Sequence, residues 1–250
     1  NSWADPYELT VEIAAGRNIT TGTEKIGTVI IVNPTLDVDG ADAIYPQLEG
    51  YEYDTFEASD GLVIPYGLYT PTNADDGNEH ALIIWNHGVG ERGSDPRIAI
   101  LGNEVTALNS EKFQDLFDGA YVLVPQTPAS TAGKDIVDGK VELIKELIAD
   151  EELNIDADRV IVGGCSMGGG QTMNIIYARP DLFAAAYPVC PASTSSTVTD
   201  EQIINIANLP IWFTHCVNDS TVSYPNTTQA LVERLIAAGN ENVHRSEERR

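Results

Sequence analysis

The chain has 250 residues, 42% hydrophobic and 7% aromatic, enough for one large domain or one domain plus a small appendage. Its net charge of −24, from 14 basic and 38 acidic residues, argues against nucleic acid and anionic membrane surfaces as partners. The acids are scattered, the pattern of a solvated acidic surface, and no apolar stretch approaches the ~18 residues of a transmembrane helix.

The chain begins Asn1-Ser2-Trp3 without Met or a signal-peptide pattern, which reads as a trimmed or mature fragment. Residues 1–60 are strand-like in "ELTVEIA", "GTVIIVN" and "YEYDTFEAS", with turn residues between and no helix signal. They read either as antiparallel strands opening a sheet or as the remainder of a small β domain. The domain division expected is an N-terminal β segment over 1–50 and a main domain over 51–250.

From Gly61 onward strand-like and helix-like segments alternate. The predicted strands are Leu62–Tyr69, Ala81–Asn86, Ala120–Pro125, Arg159–Gly163, Ala184–Val189, Ile211–His215 and Asn242–Ser246. Runs such as "ALIIW", "YVLVP" and "VIVGG" are apolar on both faces, as in a mostly parallel sheet covered by helices. The predicted helices are Lys134–Asp150, with a stripe through Ile136, Val137, Val141, Ile144, Leu147 and Ile148, then Met167–Ala178, Asp200–Ala207 and Pro225–Ala238. Thr199 and Gln202 make a capping box for the third, and Gly239 is a stop for the fourth. The alternation means an α/β fold with helices on both faces of the sheet.

Gly164-Cys165-Ser166-Met167-Gly168 matches G-x-S-x-G, running out of a buried strand and into a helix. Such an elbow turns so sharply that its flanking residues need to be glycine, and it raises the serine at the C-terminal edge of the sheet. The helix start beside it favours developing negative charge. Acyl chemistry also needs backbone N–H donors for the oxyanion. Met167, after the serine, is one candidate; Val89, in the loop His87-Gly88-Val89-Gly90 after an earlier central strand, is the other. His87 precedes the serine, out of order for a base, and reads as a loop brace. Asp219, just past the strand in "PIWFTHCVNDSTV", is the candidate acid that orients and charge-stabilises an imidazole. The three cysteines, Cys165, Cys190 and Cys216, fit no zinc pattern and read as small buried side chains. No cofactor or metal site is expected.

"YGLYTPTN", "WNHGVGERGSD", "ADRVIVGGCSMGGG", "RPDLFAAAYPVCP" and "THCVNDSTV" resemble, in this order, the α/β-hydrolase esterases related to polyhydroxybutyrate depolymerases and to feruloyl and acetyl esterases. The likeness covers about Leu62 to Ser246. It implies an α/β-hydrolase fold with a mostly parallel central sheet, Ser166 as nucleophile, Asp219 as acid, and an oxyanion hole at Gly88 and Val89. Some such proteins carry an immunoglobulin-like domain first, of which residues 1–50 would be a part. Such proteins place the catalytic His in a loop after the last strand. Here only His244 follows Asp219, near the start of the predicted last strand. Four residues at about 3.3 Å each would hold it away from the active edge. The base role is therefore not placed on His244, nor on His80 or His215, which are out of order, and the chain is expected to stop before the catalytic loop.

The expectation is a serine carboxylesterase acting on small or plant cell-wall-type esters, including polysaccharide-linked ones, in a secreted or extracellular, bacterial setting. It needs no nucleic acid and no membrane. A serine peptidase or acyltransferase, and a hydrolase-fold binding protein without a base, are the alternatives.

Overall fold

The computed structural model describes residues 45–103, 105–128 and 135–248, together with the backbone of four strands nearer the N-terminus. The chain divides into two compact units, Asn1–Pro46 and Gln47–Arg250. In the first, β1 (Glu8–Glu12) pairs antiparallel with β4 (Thr35–Asp39), and β2 (Asn18–Thr21) antiparallel with β3 (Glu24–Thr28). "ELTVEIA" therefore contains β1. Of "GTVIIVN" only its first two residues fall in β3, and the rest lies outside the described residues.

The second unit is built on an eight-stranded sheet: β5 (Tyr51–Glu57), β6 (Val63–Tyr69), β7 (His80–Asn86), β8 (Ala120–Pro125), β9 (Ile155–Cys165), β10 (Ala185–Val189), β11 (Ile211–Cys216) and β12 (Val243–Glu248). Their spatial order is β12-β11-β10-β9-β7-β8-β6-β5. Only β6 runs against its neighbours, so the sheet is mostly parallel with an antiparallel N-terminal edge. The central strands explain this arrangement. All six residues of β8 are buried, and in β7 every residue except Trp85 is. Such strands leave no face for water and need helices on both sides.

One face is covered by α3 (Asp135–Ala149), α4 (Met167–Ala178), α5 (Asp200–Asn205) and α6 (Ala230–Ala237). Ile136, Ile144, Met173, Ile176 and Leu235 from these helices join Ile64, Leu82, Ile84 and Leu123 from the strands in the main core. The other face carries α1 (Pro96–Leu101) and α2 (Glu111–Phe117), which pack Ile100 against Val122 and Val124 and Phe113 and Phe117 against Ala81, Ile83 and Ala120. These two helices are not in the sequence reading. They are six and seven residues long and carry no repeating stripe, but each has a start signal. The Asp95 side chain accepts from Arg97 N–H ahead of Pro96, and Ser110 accepts from Phe113 N–H.

The capping box at Thr199 and Gln202 has both of its hydrogen bonds, and Gly239 takes φ 90°, the left-handed stop after α6. The helix expected over Pro225–Ala238 differs at its start. Pro225–Gln229 is a turn of π-helix, with Gln229 N–H bonded to Tyr224 C=O at 3.1 Å. Within this wider turn Thr228 is buried and its hydroxyl meets His215 Nδ1 at 2.8 Å.

The strands diverge at one point. The connection from β7 leads to β8 on one side, while that from β9 leads to β10 on the other, so the carboxyl ends of β7 and β9 border a crevice where the order reverses. The helix that most depends on this core is α3, and Ile144 is its fully buried centre. Ile144→Ala should cost about 2–5 kcal/mol, read as a lower urea midpoint at unchanged m-value; a loss below about 1 kcal/mol would contradict the packing described.

Candidate active site

Ser166 stands between the last residue of β9 and the first of α4 with φ 57° and ψ −114°. These are the angles of the first central position of a type II′ turn, which favours glycine, so a serine there holds backbone strain. The backbone is pinned on three sides. Ser166 N–H donates to Val189 C=O, and Ser166 C=O accepts from Gly170 N–H and Ala192 N–H, each at 2.9 Å. Met167 N–H lies in the first turn of α4, where a helix leaves its donors unused.

The glycines around the serine are required by closeness. A Cβ on Gly164 would lie 2.5 Å from the Asn86 carbonyl oxygen and 2.6 Å from that of Gly168, and one on Gly168 would overlap Asn86 and His87. The end of β7 therefore passes directly against the start of α4. This is the backbone that continues into Gly88 and Val89, and Val89 opens a short 3-10 turn, Val89–Glu91. The two candidate oxyanion donors thus come from adjoining segments.

His87 is fully buried and fixed in one tautomer. Thr127 N–H donates to its Nε2 at 2.8 Å, so Nδ1 carries the hydrogen and donates to Gly88 C=O at 2.7 Å. Burial, and then the charge of Lys140, push its pKa down to about 3. His87 is a neutral brace that holds the loop. Lys140, from the middle of α3, is also fully buried. Its Nζ donates to Asn86 Oδ1 and Gln171 Oε1, both at 2.8 Å, and to Thr127 Oγ1 at 3.3 Å. One ammonium thus ties the end of β7, the loop after β8 and the first turns of α4. Among the described residues no carboxylate takes part, and burial pushes the Lys140 pKa down to about 7. The sequence reading passed over Lys140, Asn86, Thr127 and Gln171. A signal for the first was present, since Lys140 falls between Ile136 and Ile144 at helical spacing, inside the apolar stripe.

Asp219 follows β11. Its Oδ1 accepts from Thr221 N–H at 2.8 Å and Val222 N–H at 2.9 Å. Burial opposes its ionisation, but these N–H groups and His215 outweigh burial and hold the carboxyl below its usual range. His215 Nε2 donates to Val222 C=O at 3.1 Å, faces Asp219 Oδ2 at 3.5 Å, and leaves Nδ1 for the Thr228 hydroxyl. Its ring braces the acid's loop with both nitrogens engaged. Cys165 and Thr214 are level across β10, which sets the ends of β9 and β11 roughly 10 Å apart.

None of the four histidines hydrogen-bonds Ser166 among the described residues. His244 is exposed, pairs in register with Trp212 and lies against its ring, at the end of the sheet opposite Ser166 and Asp219. His80 bonds Asp118 C=O at the start of β7. A cavity of about 950 Å³ opens on the carboxyl side of the sheet, lined by Trp85, Cys165, Tyr187, Cys190, His215 and Asp219 among others. The cysteines differ from their reading as buried packing groups: all three are half-buried thiols that line this cavity.

A sheet of this order, with a strained strand-to-helix turn at the reversal point, defines an α/β-hydrolase. Residues 121–248 match the phospholipase/carboxylesterase family, and the chain belongs to it. No curated protein matches the sequence. Among solved structures it is similar to a thermostable esterase at 26% identity and TM-score 0.76, over 90% of this chain and 61% of that one. It thus spans about three fifths of that esterase's length. It shares its fold with Thermogutta terrifontis esterase 2 phosphorylated by paraoxon, at 15% identity and TM-score 0.62, over 83% of this chain and 85% of the other.

Lys140 generates a pH test. Below about pH 7 its proton is held in both the folded and unfolded chains, and folding carries the whole cost of a buried charge. Between that value and the unfolded value of 10.5 only the unfolded chain keeps the proton, so stability rises with pH. Compared with Lys140→Met by urea unfolding, the wild type should gain on the order of a few kcal/mol between about pH 6.5 and about pH 9.5. A pH-independent difference would contradict the burial of this amine.

Proposed function

We propose that the protein is a serine carboxylesterase that works through an acyl-enzyme on Ser166. The observation that carries this reading is the glycine-favouring backbone at Ser166, held at the crevice where β7 and β9 diverge. Ser166 Oγ attacks the ester carbonyl as a base takes its proton. The oxyanion is met by the N–H groups of Met167 and Val89, and the tetrahedral adduct collapses to an acyl-serine with loss of the alcohol. Water then repeats the steps to release the acid. Asp219, held ionised by its loop, supports the positive charge of the imidazole that acts as base. None of His80, His87, His215 and His244 is assigned that role. The substrates on this reading are small esters or ester groups carried by plant cell-wall polysaccharides, met outside the cell. The resemblance to feruloyl and acetyl esterases supports that choice, and a net charge of −24 suits neutral over anionic substrates.

The histidine positions favour one second reading, a binding protein on the same scaffold. Hydrolysis of p-nitrophenyl acetate, with and without added imidazole, separates the two. Once the hydrolysis that imidazole catalyses without protein is subtracted, the wild type should turn over faster than Ser166→Ala by at least about 10³-fold, and should carry an acetyl group on Ser166 by mass spectrometry. Equal rates in the two proteins would remove Ser166 as nucleophile and leave the binding reading.

A further inference from the structure

Cys165 and Cys190 lie 25 residues apart in sequence, but the sheet brings their sulfurs to 3.7 Å. Cys165 ends β9 and is level with Val189, the last residue of β10, so Cys190 is one step further along. A residue continuing β10 would point to the opposite face from Val189. Cys190 instead takes φ 36°, a left-handed conformation that breaks the alternation, and Cys165, Val189 and Cys190 all line the same cavity. Both thiols are half-buried rather than sealed in the core.

We propose that Cys165 and Cys190 are a redox-reactive dithiol beside the nucleophile, which closes to an intramolecular disulfide on reaction with a low-molecular-weight disulfide. The two sulfurs are unequal. The hydrogen bond the two share, and then the Ser166 N–H facing Cys190, draw the Cys190 thiol down to about 7 against the effect of burial, while that shared bond and burial push Cys165 up. Cys190 thus supplies the thiolate, and it attacks one sulfur of the incoming RS–SR. The RS–SR bond breaks, a Cys190–SR bond forms, and RS⁻ leaves and takes up a proton. Cys165 then gives up its proton and attacks Cys190 Sγ, releasing the second RSH. Two protein thiols are oxidised to one disulfide, and one external disulfide is reduced to two thiols.

Closure bears on the elbow. The sulfurs must approach from 3.7 Å to about 2.05 Å. Ser166, the next residue after Cys165, hangs between the same two segments through its bonds to Val189 and Ala192. Oxidation therefore lowers turnover. That consequence rests on Ser166 being the nucleophile, whereas the disulfide does not.

The test is to incubate the protein with oxidised glutathione, then count free thiols after denaturation and map disulfide-linked peptides. Thiols should fall from three to one, the mass should drop by about 2 Da, and one linked peptide pair should contain Cys165 and Cys190. Cys165→Ser should instead stop at the mixed disulfide, with glutathione retained on Cys190. Retention of all three thiols by the wild type, a lasting glutathione adduct on it, or a bond to Cys216 would overturn the proposal. With imidazole added, Ser166-dependent turnover of p-nitrophenyl acetate should fall about tenfold or more on oxidation, since a misplacement of about 1 Å can cost about 10²-fold, and dithiothreitol should restore it. A disulfide that forms without changing Ser166-dependent turnover would overturn the coupling to the elbow.

Discussion

The site depends on one close approach, that of the end of β7 to the start of α4. The carbonyl of Asn86 sits where any side chain on Gly164 or Gly168 would be. This contact brings the loop that begins at His87 against the turn that presents Ser166. It also explains Gly168 in the first turn of α4, while Gly169 and Gly170 face the backbone of Val189, Pro191 and Ala192 after β10; each of the three costs roughly 1 kcal/mol relative to alanine. Those residues are poor helix formers placed where nothing larger fits. The energy comes back from the rest of α4, where Met173, Ile175 and Ile176 are fully buried in the main core.

A polar cluster holds that approach in register. Lys140 reaches three oxygens on three segments, and Thr127, one of its partners, uses its own N–H to fix His87. Asn86 adds bonds from Nδ2 to Gly163 C=O and to the Thr172 hydroxyl. In a medium of low polarisability such a cluster is specific because its alternatives leave a buried donor unmatched. His215 does the same for the loop after β11. Two histidines that a motif search would pick out as chemical groups therefore act as braces, each with both ring nitrogens engaged.

What was legible in the sequence was local. The elbow, the capping box at Thr199 and the end of α6 at Gly239 are each written in a few adjacent residues, and the runs buried on both faces mark the parallel strands. Elements too short to show a period, such as α1 and α2, left only their caps. The π turn at Pro225–Gln229 follows from Thr228 meeting His215, a contact between different elements. Lys140 interrupts an apolar stripe, but its partners are 13 to 54 residues away. The pairing of Cys165 with Cys190 is set by strand register, which no spacing of cysteines reveals. The resemblance named the order of the site segments, and the fold explains why that order puts Ser166 and Asp219 on one edge.

The backbone of Ser166 has an evolutionary consequence. Glycine suits a φ of 57° and ψ of −114° better than serine does. With Ser166 as the proposed nucleophile, selection for stability and selection for chemistry would point in opposite directions at this position. A lineage freed from the need for a nucleophile would gain by drifting to glycine here, with the fold intact around it. Among descendants of this scaffold, residue 166 is therefore where a change of trade would first be recorded.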